Sequence, residues 1–179
     1  MSQLINKEFP QFELVSFYEN KINRSFKNDD LKGKWTVLCY YPADFSGVCP
    51  FELIELQQNY EEFRKEGAQI LVVSNDSVYT HKAWHDFDKE INKVEYPMLA
   101  DKNAKLSKEL GIYIEEKGIS YRASYIINPE GIIKALEVSD TPIIRDSFEL
   151  IRKLRAAKYV SENHNACLNN NLIRVKNNA

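Results

Sequence analysis

The chain has 179 residues, 44% hydrophobic and 28% charged, with 24 Lys and Arg against 26 Asp and Glu for a net charge of −2. That is the size and composition of one globular domain, and it excludes a chain disordered throughout. The near-neutral balance offers no basic surface for nucleic acid, and no apolar run approaches the ~18 residues of a membrane span.

Met1 to Pro10 lacks a basic segment followed by an apolar one, so no secretory leader is expected and a cytoplasmic location is. Phe12 to Phe17 alternates and predicts a short peripheral strand. Asn28 to Lys34 is polar, carries Gly33 and predicts a loop. Trp35 to Tyr41 is a continuous run of strand formers, as in a strand buried on both faces. Pro42 ends it, and Pro42 to Val48 is a loop. From Pro50 to Glu66 the apolar residues Phe51, Ile54, Leu56, Tyr60 and Phe63 follow helical spacing, with Pro50 in the first turn and Gly67 as C-terminal cap. Ala68 to Ser74 is a second buried strand, so residues 35–74 predict a right-handed strand–helix–strand crossover.

Thr80 to Lys89 is amphipathic. Tyr96 to Asp101 predicts a short strand, and Ala104 to Leu110 a short helix stopped by Gly111. Ala123 to Ile127 and Ile132 to Val138 flank the turn Asn128-Pro129-Glu130-Gly131 and predict a hairpin. A long helix is expected over Ile143 to Tyr159. The expected fold class is α/β, a thioredoxin-like layout with a mixed central sheet flanked by helices. It comprises a domain of residues 1–160 and a polar, Asn-rich C-terminal tail of 161–179.

Three cysteines are the most informative count. An odd number without a leader does not form a disulfide framework. Cys39, Cys49 and Cys167 show no CxxC spacing, which argues against a thioredoxin-type dithiol exchanger. His81, His85 and His164 form no metal pattern with them, so no metal site is expected. Cys39 lies inside a buried strand, where cysteine behaves as a small hydrophobe. Cys49 falls one residue before the predicted helix. Unpaired N–H groups and partial positive charge gather there, and both stabilise an anion. The thiolate is the nucleophilic form of cysteine, so Cys49 is the candidate nucleophile.

The segment from Tyr41 to Leu53 closely resembles the active-site loop of peroxiredoxins of the alkyl hydroperoxide reductase C type. Their pattern is Pro, three residues, Thr or Ser, two residues, then Cys; Pro42, Ser46 and Cys49 fill it. The resemblance continues through Thr80-His81-Lys82-Ala83-Trp84-His85, Arg122, Asn128 to Gly131, Arg145 and Ala156 to Val160. It implies a thiol-dependent peroxidase acting on hydrogen peroxide and organic hydroperoxides with no metal, haem or flavin. In that chemistry Cys49 attacks the peroxide. The Ser46 hydroxyl bridges sulfur and peroxide oxygen, Arg122 stabilises the developing charge, and Pro42 shields the site. Glu52 matches a position that orients the arginine, and Arg145 a second arginine beside the loop. Each has a plainer role available: a helix cap for Ser46, a surface ion pair for either arginine, a strand stop for Pro42.

The resemblance further implies that Cys167 resolves the oxidised Cys49 of a partner subunit in a homodimer, and that dimers assemble into a ring decamer. A thioredoxin or a flavoprotein disulfide reductase would return the pair to thiols. A chaperone or signalling role for the same assembly is the competing expectation. The chain departs from the family at several points. Cys167 sits in Ala-Cys-Leu with no Trp after it, where the family has Val-Cys-Pro. Gly47 and Phe51 replace a bulky residue and a Thr, which alters the pocket. No Gly-Gly-Leu-Gly segment lies between Pro97 and Arg122, so resistance to overoxidation is expected. Trp84 and its neighbours are expected at a subunit interface.

Overall fold

A computed structural model describes residues 4–163. Nine strands and five α-helices follow in chain order: β1 (Glu13–Tyr18), β2 (Lys21–Lys27), β3 (Trp35–Tyr40), α1 (Cys49–Gln58), α2 (Tyr60–Lys65), β4 (Ala68–Ser74) and α3 (Val78–Phe87), then β5 (Met98–Ala100), α4 (Lys105–Glu109), β6 (Tyr113–Ile114), β7 (Ile119–Ser120), β8 (Arg122–Ile127), β9 (Ile133–Ser139) and α5 (Ser147–Glu162). The main sheet runs β2-β1-β5-β4-β3-β8-β9. Strands β3, β4 and β5 are parallel, and the flanking pairings are antiparallel. The sheet is therefore mixed, as the sequence pattern predicts.

Strict alternation along β3 and β4 divides the core. Val37, Cys39, Ile70 and Val72 face one side, packing with Leu53 and Leu56 of α1, Phe63 of α2, Trp84 of α3 and Leu154 of α5. Leu38, Tyr40, Leu71 and Val73 face the other, with Phe9, Leu31 and Leu106. Both faces being covered is why these strands are apolar without interruption. Four helices on one side leave the carboxyl ends of the parallel strands open to the loop after β3, the usual place for a site in such sheets.

The structure corrects the sequence expectations at several points. The helix expected over 50–66 is two helices. Asn59 leaves helical geometry (φ −99°, ψ 8°), and its side-chain amide donates to the Glu55 carbonyl at 3.1 Å and to Ser147 Oγ at 3.0 Å. An asparagine that bonds its own preceding turn competes with the helix. The long final helix starts at Ser147 rather than Ile143, because Asp146 caps it, accepting from the Phe148 and Glu149 amides. That leaves residues 143–146 as a loop free to carry Arg145 inward. Strand β2 escaped sequence reading because it is a polar edge strand. It joins β1 through Glu19 and Asn20, both at positive φ, a turn that suits hairpin twist. The hairpin of β6 and β7 is too short to leave a periodic signal.

Trp84 is not at an interface: it is 1% exposed and belongs to the core. The exposed Phe45 ring lies tilted against Trp84 at a centroid distance of 5.9 Å, and the exposed Phe87 ring against Phe45 at 6.2 Å.

Candidate active site

The site grows from the end of β3. Residues 41–48 leave the sheet as a loop, and Pro42, which has no N–H to offer a ladder, is buried within it. Phe45 takes a left-handed conformation (φ 53°), which turns the chain back toward the sheet. Asp44 anchors this turn. Its carboxylate accepts from the Tyr41 hydroxyl at 2.6 Å and lies 2.7 Å from His81 Nδ1, while its amide donates to Asp76 Oδ2 at 2.8 Å. Burial first, and then the Asp44 carboxylate, push the Tyr41 phenol well up, so it donates as a neutral hydroxyl. His81 Nε2 lies 3.1 Å from the Leu99 carbonyl, which ties the loop to α3 and β5. Sequence reading missed Asp44 and His81 in this role, since nothing in their spacing announces a buried pair 37 residues apart.

Cys49 is the first residue of α1, with Pro50 following it in the first turn. The sequence expectation placed it one residue before the helix. Its amide is one of the unpaired donors at the helix start, and it donates to Ser46 Oγ at 3.2 Å. Ser46 thus acts as a cap from within the loop and keeps its hydroxyl hydrogen free to donate elsewhere. Cys49 is 1% exposed, at the foot of the loop.

Two arginines meet one carboxylate beside this sulfur. Arg122, the first residue of β8, places Nη2 3.5 Å from Cys49 Sγ. The same guanidinium donates through Nη1 to Glu52 Oε2 at 2.6 Å and through Nε to the Thr141 carbonyl at 2.8 Å. Arg145 Nε closes to 2.8 Å on Glu52 Oε1, the Arg145 amide donates to the same oxygen at 3.2 Å, and Nη2 donates to the Tyr40 carbonyl. The three side chains are 1–4% exposed. Glu52 lies one turn after Cys49 on α1, so the helix that presents the thiol also holds the carboxylate that aims both arginines. The Thr141 carbonyl is a second anchor that side-chain patterns could not reveal.

Charge counting explains the arrangement. Two buried guanidiniums and one carboxylate leave one positive charge uncompensated, and a lone buried charge is costly. Cys49 Sγ, 3.5 Å from Arg122 Nη2, is where an anion would meet that charge. Cys39 behaves differently although it lies on the neighbouring strand. Burial pushes its thiol up, with Arg145 only partly opposing, so it stays protonated and takes no part. The structure therefore brings Cys49, Ser46, Arg122, Glu52 and Arg145 into one cluster with Pro42 in the loop above. Cys167 lies outside the described residues.

Removing the Arg122 charge tests the arrangement. Arg122→Met keeps apolar volume but deletes the donor facing sulfur, and the rate of Cys49 oxidation by peroxide is expected to fall by about 10²–10³-fold in stopped-flow measurements.

The comparisons agree with this geometry. Residues 5–136 match the AhpC/TSA family. The chain is 41% identical over 161 residues to the alkyl hydroperoxide reductase C of Staphylococcus aureus, spanning 89% of this chain and 85% of that one. It superposes on the crystal structure of AhpC from Enterococcus faecalis with a TM-score of 0.89 and 40% identity, covering 93% of this chain and 99% of that one. The reduced 2-Cys peroxiredoxin of Plasmodium vivax gives a TM-score of 0.88 at 28% identity, covering 93% and 88%. These structures share the expected thioredoxin-like layout. A cysteine at a helix start with an arginine on its sulfur, in a chain matched along most of its length, places this protein in the AhpC/TSA family.

Proposed function

We infer that the chain is a thiol-dependent peroxidase in which Cys49 is the attacking residue. The observation that carries this reading is Arg122 Nη2 at 3.5 Å from Cys49 Sγ, at the first turn of α1 and beside Ser46. A peroxide R–OOH enters with its O–O bond in line with Sγ. The thiolate attacks the distal oxygen, an S–O bond forms, the O–O bond breaks, and the departing alkoxide takes a proton to leave as R–OH. Arg122 and the free Ser46 hydroxyl donate to the oxygens as charge moves onto them. Glu52 and Arg145 touch no substrate in this scheme; they hold Arg122 in register. Pro42 covers the sulfur without adding a donor that would compete for the peroxide.

Cys49 is left as a sulfenic acid, which must be captured before it oxidises further. Cys167, in the 161–179 tail of a second copy, is the thiol we assign to that step, forming an intersubunit disulfide and releasing water. Two electrons from an external dithiol, a thioredoxin or a flavoprotein disulfide reductase, then restore both thiols in a reducing cytoplasm. The relatives' lengthwise match supports the dimer and its ring assembly. No helix among the described residues is long and apolar enough to cross a membrane.

Cys167→Ser tests the resolving step separately from attack. After one equivalent of peroxide, non-reducing gels of the wild-type chain show a covalent dimer, and the variant shows none while still consuming that equivalent. A dimer band that persists in Cys167→Ser would remove the assignment.

A further inference from the structure

The segment that carries Arg145 to the thiol cluster has little apolar packing to hold it. Residues 140–146 lie between β9 and α5 outside regular structure, and Pro142, Ile143 and Ile144 are exposed. Yet two groups of this segment must keep exact partners. The Thr141 carbonyl accepts from Arg122 Nε at 2.8 Å, and Arg145 Nε lies 2.8 Å from Glu52 Oε1. Hydrogen bonds weaken steeply once their geometry slips, so a segment with exposed apolar side chains needs a polar anchor.

That anchor lies two residues past Arg145. Ser147 opens α5 and is 1% exposed. Its amide donates to Glu55 Oε1 at 3.0 Å, and its hydroxyl donates to the same oxygen at 2.7 Å. Asn59 Nδ2 donates to Ser147 Oγ at 3.0 Å, so the hydroxyl works in both directions. Asn59 reaches the Glu55 carbonyl at 3.1 Å with the same amide, so the break in the helix at Asn59 is part of the anchor. Glu55 makes no ion pair among the described residues, and the bonds of its carboxylate run to Ser147.

The spacing on α1 makes this a two-point grip. Glu52 and Glu55 are three residues apart, so both carboxylates lie on one face of the helix that begins with Cys49. Glu52 accepts the Arg145 amide at 3.2 Å, and Glu55 accepts the Ser147 amide. Two alternate residues of one short stretch of backbone are thus tied to the helix that presents the thiol. Misplacing the support of a reacting group by about 1 Å can cost up to about 10²-fold in rate.

We propose that Glu55 is a positioning residue of the peroxidase: with Ser147 and Asn59 it fixes the 141–147 segment on α1 and so keeps Arg122 on the Cys49 sulfur. This rests on Cys49 being the attacking thiol. The test is the rate of Cys49 oxidation by hydrogen peroxide, measured by stopped flow on the full chain well below its unfolding transition. Glu55→Ala removes the acceptor and should lower the rate about tenfold. Glu55→Gln keeps an oxygen there and should stay within about twofold of the wild type. Ser147→Ala deletes the hydroxyl at the other end of the link and should also slow oxidation. In an Arg122→Met background Glu55→Ala should add almost no further loss, because its effect ends on that guanidinium. A merely structural role would lower the unfolding midpoint and leave the rate per folded molecule unchanged. A wild-type rate in folded Glu55→Ala, an equal loss in Glu55→Gln, or a full further loss in the Arg122→Met background would each overturn the proposal while leaving Cys49 as the nucleophile. A wild-type chain whose Cys49 is not oxidised would remove the peroxidase reading and this proposal with it.

Discussion

Cys49→Ser is expected to lower steady-state peroxide consumption with a dithiol reductant by about 10⁴-fold or more. A serine hydroxyl is not ionised near neutral pH, so it supplies no anion to attack oxygen. The substitution hardly changes side-chain size at a position 1% exposed, so the fold should persist, and denaturant unfolding checks that it does. The loss must therefore appear in the chemical step and not in the amount of folded protein. Substantial activity in a folded Cys49→Ser chain would exclude Cys49 as the nucleophile.

Glu52→Gln carries the largest expected cost in stability. Among the described residues the carboxylate is the only acid that the two buried guanidiniums touch, at 2.6 and 2.8 Å. Glutamine keeps the shape but removes the charge, and breaking a buried pair from one side costs about 3–5 kcal/mol. For a chain of this length that lowers Tm by roughly 6–20 °C. The rate of Cys49 oxidation should fall as well, since Arg122 loses the anchor that aims it. A double-mutant cycle separates charge from packing: adding Arg145→Met to Glu52→Gln should recover part of the stability, because it removes a cation left without an anion. If Glu52→Gln is as stable as the wild type, the carboxylate is not the keystone of the cluster.

The parts of the fold legible in the sequence are those where burial imposes a pattern. Strands β3 and β4 are covered on both faces and read as unbroken apolar runs, and the β8–β9 hairpin is marked by its Asn-Pro-Glu-Gly turn. What escaped was held by tertiary contacts. The break at Asn59 depends on Ser147, 88 positions away, and the late start of α5 depends on one Asp146 cap. Trp84 was misplaced at an interface because an aromatic on an amphipathic helix reads alike whether a core or a partner covers it.

The site was legible for a different reason. The spacing of Pro42, Ser46 and Cys49 is local, and a helix start after a buried strand gives it physical meaning. Arg122 and Glu52 could be assigned through resemblance alone, since their contact spans 70 residues. The Thr141 carbonyl and the Asp44–His81 pair had no readable signal, being backbone chemistry in one case and long-range pairing in the other. Cys39 and Cys49 show the limit of composition: the same residue type, ten positions apart, becomes a core side chain in β3 and the sulfur facing Arg122 at the start of α1.

The most direct test of the peroxidase reading is to trap the sulfenic acid. The reduced Cys167→Ser chain is treated with one equivalent of hydrogen peroxide in the presence of dimedone, then digested and read by mass spectrometry. A single adduct on Cys49, with Cys39 recovered as a free thiol, is the predicted result. An adduct on Cys39, or none on Cys49 while the peroxide is consumed, would contradict it.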